Sequence, residues 1–407
     1  IVVAQVGMSL ALLIGAGLFV RTLRNLTRMD LGFNRENLLL FNVNPGAVGY
    51  KGERLANLYQ QLLERIEATP GVRSATASSY ALLRGSSRSS FCAPGYAPQP
   101  GEKMSLANLA VAANFFETME IPILQGRGLA RQDIEPLISA IATVQSVEGK
   151  PPRDSVASRQ VAVINQAMAN KYFPNINPIG HRFSFSGNCK DGDIEIVGVA
   201  RDAKYGGLKK EIIPIAYVPY VRPPFGAPSV MSFAVRTVND PETMTAAIRK
   251  SAQAVEPRLS LSAIRTQDAE ISRLTTQERL FASLSSFFGL LALIQVAIGL
   301  YGVMSYAVAR RTYEIGVRMA LGAQSNDALW MIMRESLWIA LVGVALGLSV
   351  ALAATPLVAS QLFGLAPHDP LTILSATLLL LTIMALAGYL PARKAAQVDP
   401  LIALRHE

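Results

Sequence analysis

The sequence predicts a membrane protein: four transmembrane α-helices with a large α+β domain between the first and second. Three observations predict it. Charge is scarce, at 16% of 407 residues, where a soluble domain carries about 25%. The shortage is concentrated at the two ends of the chain, while the middle has ordinary soluble composition. Within those ends lie four uncharged runs, each long enough to cross a bilayer.

A crossing helix needs about 20 apolar residues, because the hydrocarbon core is roughly 30 Å thick and each residue rises 1.5 Å. Residues 1–20, 280–309, 336–367 and 371–392 meet this requirement, and nothing between 21 and 279 does. The runs are apolar all round, whereas a soluble core helix keeps a polar stripe. The boundaries drawn are a first helix and stalk over 1–25, an outside domain over 26–275, and a permease-like portion over 276–407 with helices at about 281–308, 336–358 and 371–391. The chain opens on Ile1, inside an apolar run and without a basic n-region. The expectation is that natural sequence precedes it.

Orientation follows from Lys and Arg in short loops. Arg310, Arg311, Arg318 and Arg334 lie between the second and third runs, and Arg393, Lys394 and Arg405 follow the fourth. Both segments are placed in the cytoplasm, which puts 358–370 and the domain outside. Arg21, Arg24 and Arg28 oppose this weakly, because long domains translocate largely regardless of charge. The net charge of +9 is thus accounted for by helix ends, and nucleic-acid binding is set aside. Gly343 and Gly347 form a G-x-x-x-G pair, expected to pack against sister helices or a second permease half.

In the domain, helix and strand signals alternate. Strands are expected at 37–43, 72–81, within 106–124, at 160–164 and at 230–236. A hairpin joins 182–186 to 194–199 around Asp191-Gly192. Helices are expected at 51–69, 114–119, 165–172 and 241–255. Residues 136–158 are rich in Ser, Pro and Ala and read as an inserted flexible lobe. Cys92 and Cys189 both fall outside, where an oxidising compartment permits a disulfide between them.

Enzyme chemistry finds no foothold. There is no G-x-x-x-x-G-K-[ST], no G-x-S-x-G and no H-E-x-x-H. His181, His368 and His406 are too scattered for one metal site, and Asp191 and Asp193 read as turn residues. No catalytic residue, cofactor or metal is assigned. The spans also lack the charged residues that mark an ion path.

Two segments carry a signature. One is RRTYEIGVRMALGA at 310–323; the other is PARKAAQVDPLIALR at 391–405. Both resemble FtsX/MacB-type ABC transporter permeases, as does the order of one span, a large outside domain and three spans. The opening at 2–25 is similar to the duplicated permeases that carry two such units in tandem, often without an adjacent ATPase gene, and suits their C-terminal unit. The resemblance implies a bacterial inner-membrane subunit driven by a cytoplasmic ABC ATPase, with no ATPase activity of its own. It implies mechanotransmission to the outside domain, for export or extraction of a substrate. The coupling segment would comprise Glu314, Ile315, Gly316, Arg318, Met319, Leu321 and Gly322. Glu314 and Arg318 are four apart in the favourable order for a helical pair. The expected partners are the ATPase, a second permease unit (from the same chain or a homodimer), membrane lipids and a periplasmic adaptor, with no nucleic acid. The alternative is an FtsX-like scaffold that controls an extracytoplasmic cell-wall hydrolase and transports nothing.

Overall fold

The computed structural model describes residues 2–146, 160–185, 193–222, 226–320, 325–359, 362–366 and 368–396. The chain divides into two compact units: residues 1–29 with 275–407, and residues 30–274.

The first unit is helical. Helix α1 spans Val2–Arg28. The chain returns to this unit through three further helices, Thr276–Ala320, Ser325–Ala359 and Pro370–Ala396. Each of the four contains a stretch long and apolar enough to cross a membrane. Their shared core is Val6, Leu10, Ile14, Leu18, Val296, Leu300 and Met304, joined by Leu380 and Met384. Many other large apolar side chains point outward: Phe287, Ile298, Trp338 and Leu378 are all more than half exposed. In water such a surface would be prohibitive, whereas in lipid it is the solvated face.

The second unit is α+β. Its strands are β1 (Leu38–Val43), β2 (Val72–Ser78), β3 (Ser87–Ser90), β4 (Ser105–Val111), β5 (Ile123–Gly126), β6 (Gln160–Asn165), β7 (Arg182–Phe183), β8 (Ile194–Ala200), β9 (Ile215–Pro219), β10 (Met231–Thr237) and β11 (Leu261–Thr266). They form one sheet in the order β11-β1-β10-β2-β4-β9-β6-β8-β5, with β3 on β4 and β7 on β8. A single residue pair, Ser78 with Val111, joins β2 to β4. The sheet therefore carries two cores. One lies around Phe41, Tyr59, Leu62, Phe233 and Val235. The other lies around Phe91, Leu106, Phe183, Ile194 and Ile196.

The helices of this unit are α2 (Gly52–Glu67), α3 (Phe115–Met119), α4 (Arg131–Ser146), α5 (Gln166–Tyr172), α6 (Thr245–Val255) and α7 (Gln267–Leu274). The membrane helices that follow are α8 (Thr276–Ala320), α9 (Ser325–Ala359) and α10 (Pro370–Ala396). Helix α2 buries Leu55, Leu58, Tyr59, Leu62 and Ile66, the 3.6-residue stripe of its sequence. Helix α5 begins at Asn165, whose side chain accepts from the Met168 amide at 3.0 Å, an N-cap bond.

One sequence expectation is corrected. Residues 136–146 are not a flexible lobe but the body of α4. Ile134, Leu137, Ile138 and Ile141 are spaced i, i+3, i+4, i+7 and are buried in the first core. The Asp133 carboxylate accepts the Ala130 amide at 2.8 Å, holding the start of the helix. Pro136 removes one helical hydrogen bond and crowds the preceding turn. The burial of four aliphatic side chains outweighs that cost. Residues 147–158 of the expected lobe lie outside the described residues.

Candidate functional site

Within the membrane unit, the first and third spans meet through glycine. A Cβ placed on Gly343 would lie 2.5 Å from Val6 Cγ1, and one on Gly347 would lie 2.7 Å from the Gly7 carbonyl oxygen. From the other side, a Cβ placed on Gly7 would stand 3.3 Å from the Gly347 amide nitrogen. The pair Gly343/Gly347 thus receives α1 of the same chain. Gln5, in the first turn of α1, rests against Gly299 of α8, where a Cβ would stand 3.0 Å from its Oε1. Ser9 Oγ donates to the Ala292 carbonyl at 3.3 Å. The first span is therefore clasped by both α8 and α9.

A polar cluster closes one end of this bundle. Asp369 is the N-cap of α10: its Oδ2 accepts the Thr372 amide at 2.9 Å and the Thr372 hydroxyl at 2.6 Å. Pro370 at the first helical position needs no partner for a missing N–H. Arg21, about two turns before the end of α1, forms an ion pair with the same Asp369 oxygen. Asn25 Nδ2 donates to the Gly364 carbonyl at 3.3 Å. Arg21, which opposed the assigned orientation on charge alone, is neutralised there by an acid of the loop before α10.

At the other end, α8 continues without interruption past the apolar stretch, which ends near Arg311, to Ala320. Its 45 residues amount to about 68 Å at 1.5 Å each, roughly twice the hydrocarbon thickness. The backbone of Glu314, Ile315, Gly316, Arg318 and Met319 is helical and continuous with the span. Leu321 and Gly322 lie outside the described residues.

In the second unit a cleft of about 290 Å³ opens beside α2 and α4. Its floor includes Ala112, Ile134 and Tyr220, and its rim carries Glu64, Glu67 and Arg131. Arg131 pairs with Glu64 at 2.9 Å. Glu67 is occupied structurally, since it accepts from Asn114 at 2.5 Å and from the Ala75 amide at 3.3 Å. Among the described residues, no group of three or more His, Cys, Asp or Glu could hold a metal. Cys92 is buried and bridges to Ser184, an isolated contact at the edge of the second core. Cys189 lies outside the described residues.

Nothing in the sequence marks Arg21 and Asp369 as a pair. The Asp-Pro dipeptide before an apolar run was a legible cap signal; the arginine 348 positions away was not.

The model of the MacB-like periplasmic core domain matches residues 2–254, and that of the FtsX-like permease C-terminal region matches 286–400. Macrolide export ATP-binding/permease protein MacB 1 of Yersinia pestis is 26% identical over 306 residues, covering 74% of this chain and 43% of that protein. The uncharacterized ABC transporter permease YknZ of Bacillus subtilis is 28% identical over 265 residues, covering 62% of this chain and 64% of that one. The chain thus spans 43% of the length of that MacB relative. Among solved structures, the periplasmic region of MacB from Actinobacillus actinomycetemcomitans covers 61% of this chain and 97% of its own, at 14% identity and a TM-score of 0.38. Four apolar helices with a periplasmic-type domain between the first and second make this a multi-pass membrane protein with an extracytoplasmic segment. The chain belongs to the family of MacB-like ABC transporter permeases with an FtsX-like C-terminal region.

Proposed function

We propose that this chain is the permease subunit of an inner-membrane ABC transporter, converting ATP hydrolysis by a cytoplasmic partner into movement of its extracytoplasmic unit. The observation that carries this is α8. One uninterrupted helix begins directly after the 30–274 unit and ends in the segment Glu314–Ala320 that faces the cytoplasm in the assigned orientation. A continuous helix resists bending, so a push at its inner end reaches its outer end. ATP hydrolysis is assigned to the partner because the chain has no phosphate-cradling G-x-x-x-x-G-K-[ST] loop. The MacB relatives are named for both ATP binding and permease function, and this chain matches less than half of the Yersinia protein's length.

The cargo is handled outside the membrane, for export or extraction, since no charged path crosses the spans. Relatives are named for macrolide export and pyoverdine export. A second permease unit, lipids and a periplasmic adaptor complete the assembly. Cys92 and Cys189 pair as a disulfide on the oxidising side. The scaffold reading, in which the same motion activates a cell-wall hydrolase, has no observation in its favour here.

The test is a photo-crosslinker at Leu321 in native membranes. Capture of a P-loop ATPase, abolished when Glu314→Lys is added, is the expected result. Efficient crosslinking that never yields an ATPase overturns the proposal.

A further inference from the structure

Helix α7 is the last element of the extracytoplasmic unit, and α8 starts two residues beyond it. Its seat is unusual. The residues it buries are Gln267, Glu270 and Ile271, so two of the three are polar. Helix α2 of the same unit buries six residues, all apolar or aromatic. An ordinary surface helix holds on by an apolar stripe; α7 holds on by charge.

The charge is Glu270, whose side chain is 2% exposed. Arg84 donates to both its oxygens, from Nε at 2.8 Å and Nη2 at 3.0 Å, and Arg265 Nη1 donates to Oε2 at 2.8 Å. Burial pushes the Glu270 carboxyl up, but the bonds and charges of the two arginines outweigh this and leave it below its ordinary value. Asp268 pairs with Arg35 at the surface at 3.4 Å, and Thr266 Oγ1 caps the Ala269 amide.

Both arginines are aimed by backbone that an L-residue rarely adopts. Leu83, immediately before Arg84, has φ of +68°. Ala263, two residues before Arg265, has φ of +54°. It lies in a bulge where β11 carries one more residue than β1, between the pairs Leu40 with Arg265 and Asn42 with Ser262. Bulges and left-handed residues of this kind re-aim side chains, and they persist where the contact they create compensates. Gln267, meanwhile, is fully buried, and neither its Oε1 nor its Nε2 has a hydrogen-bond partner. That cost exists only while the helix is docked, because water would satisfy the amide once it lifts.

We propose that α7 is a releasable latch, docked on its own domain through Arg84–Glu270–Arg265 and built to detach while the sheet beneath stays folded. Of the side chains that α7 itself buries, Ile271 alone is apolar; Gln267 and Glu270 are groups that water solvates well. In the reading given above, α7 is where a push along α8 would enter the domain. The latch concerns this chain alone, however, and needs no ATPase for its test. A failed capture at Leu321 leaves it standing, and its own failure leaves the permease reading standing.

The experiment is hydrogen exchange by mass spectrometry on the full chain in lipid nanodiscs, comparing amides 271–274 with those of β10. In the wild type the α7 amides should exchange at least about tenfold faster than β10, through an opening that spares the sheet. Glu270→Gln should accelerate α7 about tenfold more with β10 unchanged. Gln267→Leu, which removes the unsatisfied amide, should slow α7 at least about threefold. Three results overturn the proposal: α7 and β10 exchanging together in the wild type, Glu270→Gln accelerating both equally, or Gln267→Leu leaving α7 no slower.

Discussion

Replacing Gly347 by alanine adds a methyl group that would stand 2.7 Å from the Gly7 carbonyl oxygen, 2.9 Å from Leu10 Cβ and 3.0 Å from Gly7 Cα. None of these atoms can swing aside, because all belong to the α1 backbone or are fixed directly to it. An ordinary carbon–oxygen contact needs about 3.4 Å, so α1 and α9 must part by several tenths of an ångström along the seam. Overpacking of this kind costs about 1–3 kcal/mol. Alanine returns up to about 1 kcal/mol through its better helix propensity. The net expectation is a loss of about 1–2 kcal/mol. Gly302 supplies the control: it lies in α8, and nothing stands within 4 Å of its added Cβ. Gly302→Ala should therefore gain up to about 1 kcal/mol by propensity alone. The same chemical change at two glycines is expected to differ by about 2–3 kcal/mol. The assay is equilibrium unfolding of the full chain in mixed micelles, followed by helical circular dichroism against the mole fraction of SDS. If the two variants shift in the same direction by the same amount, the glycine seam between α1 and α9 is not what holds the first span.

Two further outcomes are expected of the outside unit. Hydrogen bonds from Arg258 and then Tyr50 hold the Glu256 carboxyl down to about 2, so its stabilising effect is complete above the ordinary value of 4.5 and is lost as the pH falls towards 2. Glu256→Gln should flatten that part of the acid melting profile, and an unchanged profile would discard the assignment. Cys92 and Cys189 should resist maleimide in membranes without reductant and take up two labels after reduction and unfolding; labelling of either beforehand excludes their pairing.

The spans and most strands were legible in the sequence because their signals are local. An apolar run of 20 residues or an alternating stretch such as 160–164 needs no knowledge of the rest of the chain. Helix α4 shows how a local rule can mislead. The spacing of Ile134, Leu137, Ile138 and Ile141 is helical, yet Pro136 and the serine-rich composition beyond it argued for a loop. The breaker rule states the cost of proline without the gain from burying four side chains in a core supplied by α2 and the sheet. The polar clusters lay out of reach for another reason. Arg84 and Glu270 are 186 positions apart, and Arg21 and Asp369 are 348 apart. Each residue alone reads as an ordinary surface charge, and only the fold makes them pairs.

The glycine seam also changes what the G-x-x-x-G pattern says about assembly. In the sequence, Gly343 and Gly347 offered a smooth face that a second permease unit could use as well as a sister helix. In the fold that face is occupied, since Val6, Gly7 and Leu10 of α1 fill it. The second unit that the proposed function requires must therefore meet a different surface. What remains outward is large and apolar: Phe287 and Ile298 on α8, Trp338 and Leu346 on α9, and Leu378 on α10. Such a surface is equally at home against lipid tails, because hydrocarbon competes with a partner on nearly equal terms. Close backbone approach, which favours tight and permanent helix pairs, is spent inside the chain on holding its own first span.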